Sequence, residues 1–242
     1  MSEADGLTFY DEDYERLVER WARAAGKSLE EVLEEEAAFV LKGLIRVTPP
    51  FSGKGSVSKA KKQGERKISG DLNRLFVPVQ LKGMRTITQV FGRPIDPVQV
   101  PTRERHSNVD SIYANAKKAN QSGRGSHRFA KSKLYVDGRK FNRLEKQQHK
   151  QVGYLGGGFG AAAMRLGVTL PAFMKRHAGR APGSIRITNE ENVLRVSMIN
   201  AVPYINRVGG MEKRVLFVLS RRKRALDSKI KRALRENEKL MN

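Results

Sequence analysis

The chain has 242 residues, 39% hydrophobic and 30% charged, with 47 Lys and Arg against 25 Asp and Glu, a formal net charge of +22, and no cysteine. That length suits one large domain or two small ones. Without cysteine, disulfides and thiolate zinc sites are excluded, and no apolar run approaches the roughly 20 residues that a membrane span needs.

The charge is unevenly spread. Residues 1–45 carry 5 basic and 12 acidic side chains (net −7), residues 46–150 carry 24 and 7 (net +17), and residues 151–242 carry 18 and 6 (net +12). An acidic head on a basic body implies two kinds of partner: a polyanion, most simply nucleic acid, and a neighbouring copy docking head to body. The start, MSEADGLTFYDEDYE, lacks the basic-then-apolar order of a signal peptide, so an intracellular product is expected.

In chain order, Tyr14, Leu17, Val18, Trp21 and Ala25 fall at helical spacing, and Gly26 closes that helix. Ser28 with Glu31 three residues on reads as a capping box for a second helix, whose stripe is Val32, Leu33, Ala37, Val40, Leu41, Leu44 and Ile45 and which Pro49 and Pro50 end. Its glutamates read as a solvated face. From Phe51 to about Lys150 the character changes: FSGKGSVSKAKKQGERKISG is rich in Gly, Ser and Lys, RPIDPVQVPTRERHSN holds three prolines, and NAKKANQSGRGSHRFAKSK nearly lacks large apolar groups. This composition predicts an extended basic arm without its own core. Within it, KLYVDGRKF predicts a hairpin about an Asp137-Gly138 turn.

Residues 151–242 read as compact again. GYLGGGFGAAAMRLG, residues 153–167, predicts a helix with a glycine-rich entry, and LPAFMKRH a short helix opened by Pro171. Ile185 and Ile187, then Leu194, Val196 and Met198, alternate as an antiparallel pair. A long helix follows from about Met211 to Leu240, with Leu219, Leu226, Ile230 and Ala233 on one face, assigned to the sheet. Arg222, Lys229 and Arg232 lie to one side of that face; Arg221, Arg224, Lys231 and Arg235 lie mainly opposite it. Cations this dense repel one another unless something negative is near. DNA phosphates are one source, and a neighbour's Glu34, Glu35 and Glu36 are the other. The neighbour is favoured of the two.

Catalytic chemistry finds little footing. The glycine run is followed by Ala161–Ala163 where a P-loop needs Lys-Ser/Thr, and LEKQQHKQV before it is no dinucleotide-fold strand. Its glycines read instead as sites of close backbone packing. The histidines, His106, His127, His149 and His177, lie more than twenty residues apart, which gives no helical metal-ligand pair. No G-x-S-x-G elbow is present. No enzyme, metal or cofactor is expected. The basic stretches 59–67 and 117–133 fit no reader motif, so DNA contact would be to the backbone.

One resemblance joins these pieces. The helix ending in LIRVTPPFSGKGS resembles the "helix, then aPvdTG" entry of tailed-bacteriophage tail-completion and neck proteins, a head–tail joining family sometimes labelled minor tail proteins. NAVPYINRV is similar to that family's N-x-x-x-Y-a stretch between its β-hairpin and final helix, and AKKQGERKISGDLNRLFVPV to the linker of its longer members. The likeness covers residues 28–55 and 150–240, and 57–80 more loosely. Two departures stand out: Ser52 replaces the usual threonine before glycine, and 57–150 would be an insertion in a shorter core. The resemblance implies an α+β subunit, a small antiparallel sheet packed on long helices. Residues 1–56 and 151–242 would form the core, and the subunit would assemble as a homo-oligomeric ring between head connector and tail. It implies a structural virion protein made in the host cytoplasm. The competing reading is a sequence-independent nucleic-acid-binding protein with a disordered basic arm.

Overall fold

The structure, a computed structural model, describes residues 12–51, 56–82, 86–90, 93–99, 108–121, 134–190, 193–203, 205, 208 and 210–241. The chain divides into two units, Met1–Lys61 with Gly153–Asn242, and Lys62–Val152. The class is α+β.

In the first unit, α1 (Glu12–Ala25) and α2 (Leu29–Val47) are the two expected helices. The capping box forms as read: Ser28 Oγ accepts from the Glu31 amide at 3.2 Å, and Glu31 Oε2 accepts from the Ser28 amide at 3.3 Å. At the far end of α2, Arg214 donates to the carbonyl of Val47 at 2.6 Å, satisfying one of the carbonyls that a helix terminus leaves unpaired. The long C-terminal helix is α9 (Met211–Met241). Its buried face is set against α1 and α2 rather than a sheet: Leu226 packs with Val18, Ala22 and Val32, flanked by Tyr14, Leu17, Trp21 and Leu33. Helix–helix burial wins because α1 and α2, 14 and 19 residues long, each offer an apolar stripe to the helix, whereas the hairpin strands are only eight residues long. Gly43 is where α2 and α9 come closest, since a Cβ there would meet the side chain of Val218.

The antiparallel pair β5 (Gly183–Glu190) and β6 (Val193–Asn200) forms as expected, with Ile185 opposite Met198 and Ile187 opposite Val196. The glycine run resolves into two short turns of helix, α6 (Tyr154–Gly157) and α7 (Gly160–Arg165), with α8 (Ala172–Lys175) after Pro171. Its glycines permit close packing. A Cβ on Gly183 would collide with the Gly158 carbonyl oxygen, and one on Gly160 would press on Ala178. Gly153 sits at φ 95°, a left-handed conformation that favours glycine. Tyr204, which carries part of the phage resemblance, and Ser52, which departs from it, lie outside the described residues.

The second unit overturns the expected extended arm. Its bounds, 62–152, nearly match the 57–150 insertion, but it contains a packed core. α3 (Val57–Leu75) runs straight into β1 (Phe76–Lys82), followed by β2 (Thr86–Val90), β3 (Arg93–Gln99), α4 (Val109–Gln121), β4 (Leu134–Asp137) and α5 (Gly138–His149). The sheet order is β3-β2-β1-β4, with β1–β4 parallel and the other pairs antiparallel, so the expectation of antiparallel sheet alone holds only in part. Leu72, Leu75, Phe76, Val109, Ala116, Val136, Phe141 and Leu144 are buried together, with Phe76 and Phe141 edge to face at 6.4 Å. Pro94 and Pro97, which read as loop residues, lie on the edge strand β3, where a missing amide donor is tolerated. The Asp137-Gly138 hairpin is absent too. Asp137 ends β4 and caps α5, its Oδ1 accepting from the Lys140 amide at 2.9 Å. The reason is periodic: after Gly138 the apolar residues fall at Phe141 and Leu144, which a helix buries together and a strand would not.

A packed second unit predicts slow amide hydrogen exchange in the intact chain. Protection at Phe76, Val136 and Leu144 should exceed that of a free peptide by orders of magnitude. Exchange at free-peptide rates there, with α2 protected, would restore the extended arm.

Candidate functional site

Glu36 lies on α2 with 1% of its surface exposed, facing α1 and α9. An unpaired carboxylate there would be prohibitively expensive, and three side chains meet it. Arg222 donates through Nε to Oε2 at 2.9 Å and through Nη2 to Oε1 at 2.6 Å. Lys229 places Nζ 3.5 Å from Oε1, and the Tyr14 hydroxyl donates to Oε2 at 3.3 Å. Both cations also ride over aromatic rings, Arg222 over Phe39 at 4.4 Å and Lys229 over Trp21 at 5.2 Å. Burial, with the Glu36 charge second, holds the Tyr14 hydroxyl protonated well above its ordinary range, although Arg222 works the other way.

The glutamates expected to meet a neighbour's cations have partners within their own chain. Glu36 is bound to Arg222 and Lys229 of its own chain, Glu35 pairs with Lys27, and Glu34 with Arg165 at 3.4 Å. Glu36 is taken up internally because α1, α2 and α9 pack on one another, whereas Glu35 and Glu34 make surface pairs, with 45% and 38% of their side chains exposed. Of the four cations proposed, Arg222 points inward with 16% side-chain exposure. Lys231 pairs with Asp227 one turn back at 2.8 Å, a surface contact of little energetic weight. Arg221 and Arg224 are exposed and meet no carboxylate among the described residues. Arg221 stacks on Phe217 at 5.8 Å, and Arg224 reaches only the Ser220 carbonyl at 3.4 Å.

At about 100° per residue, Phe217, Arg221, Arg224, Lys231 and Arg235 fall within about 40° of one direction, opposite the buried Leu226. Phe217 is 50% exposed, and Leu216 and Leu234, each 48% exposed, flank this outer face of α9. Sequence reasoning placed the cations but missed the apolar residues between them. Phe217 was visible as a large aromatic outside the stripe.

In the second unit, two grooves follow helices. One runs along α5 over Arg139, Asn142, Arg143, Lys146 and Gln147 to Lys150, just past its end. The other runs along α3 past Lys62, Glu65, Arg66, Ser69 and Asn73 to His149 of α5. There Ser69 Oγ and His149 Nε2 lie 2.9 Å apart, a pairing hidden in the sequence by a separation of 80 positions. Among the described residues, no group of three or more His, Cys, Asp or Glu could hold a metal ion, and no helix is long and apolar enough to cross a membrane. The chain matches no family model, no curated protein and no solved structure.

Glu36→Gln removes the buried charge that Arg222 and Lys229 answer and should lower unfolding free energy by about 3–5 kcal/mol in urea titrations. Glu36→Leu combined with Arg222→Leu should recover much of that loss. A single variant as stable as the parent would mean the carboxylate is not buried in solution.

Tyr14 gives a pH test. Its folded value is raised above the unfolded value of about 10, so its contribution to stability is complete below that pH and is lost as pH rises past it. In phenolate difference absorbance, Tyr14 should ionise last of the six tyrosines, together with unfolding. Tyr14→Phe should remove that step and soften the alkaline loss of stability. Ionisation of every tyrosine at the ordinary pH in folded protein would contradict the burial.

Proposed function

We propose that this chain is a structural subunit of a tailed-phage neck or tail-completion ring, located in the virion and joining the head connector to the tail around the DNA channel. The observation that carries the reading is the outer face of α9, where Phe217 and Leu216 stand exposed beside Arg221 and Arg224. Exposed aromatic and arginine side chains have the composition of a subunit interface, and a 31-residue helix offers about 46 Å of it. The order of elements supports the assignment. A helix closed by Pro49-Pro50, a hairpin and a long final helix follow one another as the resemblance to phage neck proteins implies. Head-to-tail contacts through such a face close into a ring when the rotation between copies divides a full turn.

Native mass spectrometry of the purified chain tests this reading. A single closed oligomer is expected, and Phe217→Glu with Arg221→Glu should reduce it to monomer while leaving the circular dichroism unchanged. A monomer at every concentration, with or without DNA, would overturn the ring. The second reading, a sequence-independent nucleic-acid-binding protein, draws its support from the basic grooves of residues 62–152.

A further inference from the structure

We infer that the unit spanning residues 62–152 carries a binding face for the phosphate backbone of duplex DNA, built from α5 and α3 and separate from the α9 face. The unit holds 20 basic and 7 acidic side chains, a net of +13, although its own core is ordinary and apolar. Six of those cations lie on the two helix rows that line the grooves: Arg139, Arg143, Lys146 and Lys150 along α5, and Lys62 and Arg66 along α3. Along α5, Arg139, Asn142, Arg143, Lys146, Gln147 and Lys150 occupy positions i, i+3, i+4, i+7, i+8 and i+11; along α3, Lys62, Glu65, Arg66, Ser69, Gly70 and Asn73 repeat the same spacing. All six α5-row residues are exposed, and the row runs for about 17 Å. Its four cations have no carboxylate partner among the described residues.

The kind of polyanion follows from what lies between the cations. On α9 the arginines alternate with Phe and Leu, the mixture that protein interfaces bury. On α5 they alternate with Asn142 and Gln147, and no large apolar side chain is exposed in the row. A face of guanidinium, ammonium and amide donors gains little from covering by protein, because no apolar area leaves water. It suits phosphate oxygens, which accept from Arg, Lys, Asn and Gln alike and release counterions on contact. At about 100° per residue His149 lies about 20° from Asn142, so the α5 row borders the α3 groove, where Lys62 and Arg66 add charge and Ser69 and His149 add hydrogen-bonding groups. Such contacts are blind to sequence, which suits DNA held in passing.

The test uses the full chain and a short fluorescein-labelled DNA duplex, followed by anisotropy from about 50 to 200 mM salt. Arg139→Ala, Arg143→Ala, Lys146→Ala and Lys150→Ala together should weaken binding by roughly tenfold or more and flatten the log–log salt slope by about 3 to 4. Arg139→Lys with Arg143→Lys should keep the slope, and Arg221→Ala with Arg224→Ala on α9 should leave DNA binding unchanged. An unchanged thermal midpoint shows that the quadruple variant is folded. A quadruple variant that binds with the parent's affinity and slope overturns the proposal. So does displacement of the duplex by poly-glutamate at equal charge concentration, which would assign the face to an acidic protein. Ring formation is scored separately by mass, so loss of the DNA face and loss of the ring are distinct results.

Discussion

A carboxylate buried to 1% exposure constrains everything packed around it, and Glu36 is that constraint in the first unit. It can remain ionised only where Arg222 and Lys229 reach it from α9, and Tyr14 reaches it from α1. The rotation of α9 is thereby set. Once Arg222 turns inward, the helical repeat turns Phe217, Arg221 and Arg224 outward, because each residue steps about 100° around the axis. The pair adds little net stability, since both charges lose their water. Its effect is on specificity: rotate α9 by one residue and the buried cation is lost. The composition of the outer face is therefore a by-product of how the inner face is neutralised.

The two basic faces show that net charge alone does not identify a partner. Both are rich in arginine and lysine, and a count over the sequence treats them alike. They differ in what separates the charges. Apolar spacers make a face that gains by excluding water, whereas amide spacers make one that stays wet. Protein–protein contacts bury the first kind at their centre, and protein–nucleic acid contacts tolerate the second.

Much of the first unit was legible in the sequence because its signals are periodic and local: the Ser28–Glu31 box, the stripe of α2, the alternation from Ile185 to Met198. Its charge pairing was not, because Glu36 and Arg222 are 186 residues apart and no local rule sets a surface glutamate apart from a buried one. The second unit was misread for a different reason. Its composition is heavy in Lys, Ser and Gly, and DLNRLFVPVQ reads as a short apolar island rather than as part of a core. Ile68, Leu72, Leu75 and Phe76, then Val109, Ile112, Tyr113 and Ala116, do recur at helical intervals, and the eight fill one core. A charged background does not prevent a stripe from forming; it thins the stripe to what a small core requires. Asp137-Gly138 failed as a turn because the same residues serve equally well to cap a helix, and only the spacing of Phe141 and Leu144 decides between the two.

Asp137 ties two length scales together. It is the last residue of β4, opposite Val79 in the parallel ladder, and also the N-cap of α5. No linker separates strand from helix, so the ladder acts as an index mark for the helix's angular phase. Moving β4 by one position against β1 would exchange its inward and outward side chains and re-aim the first turn of α5. The azimuth at which Arg139 and its successors leave the surface is thus referenced to backbone hydrogen bonds in the sheet. Long, flexible basic side chains gain a fixed origin in this way, and the α5 row holds its charge as an oriented array rather than as a diffuse cloud.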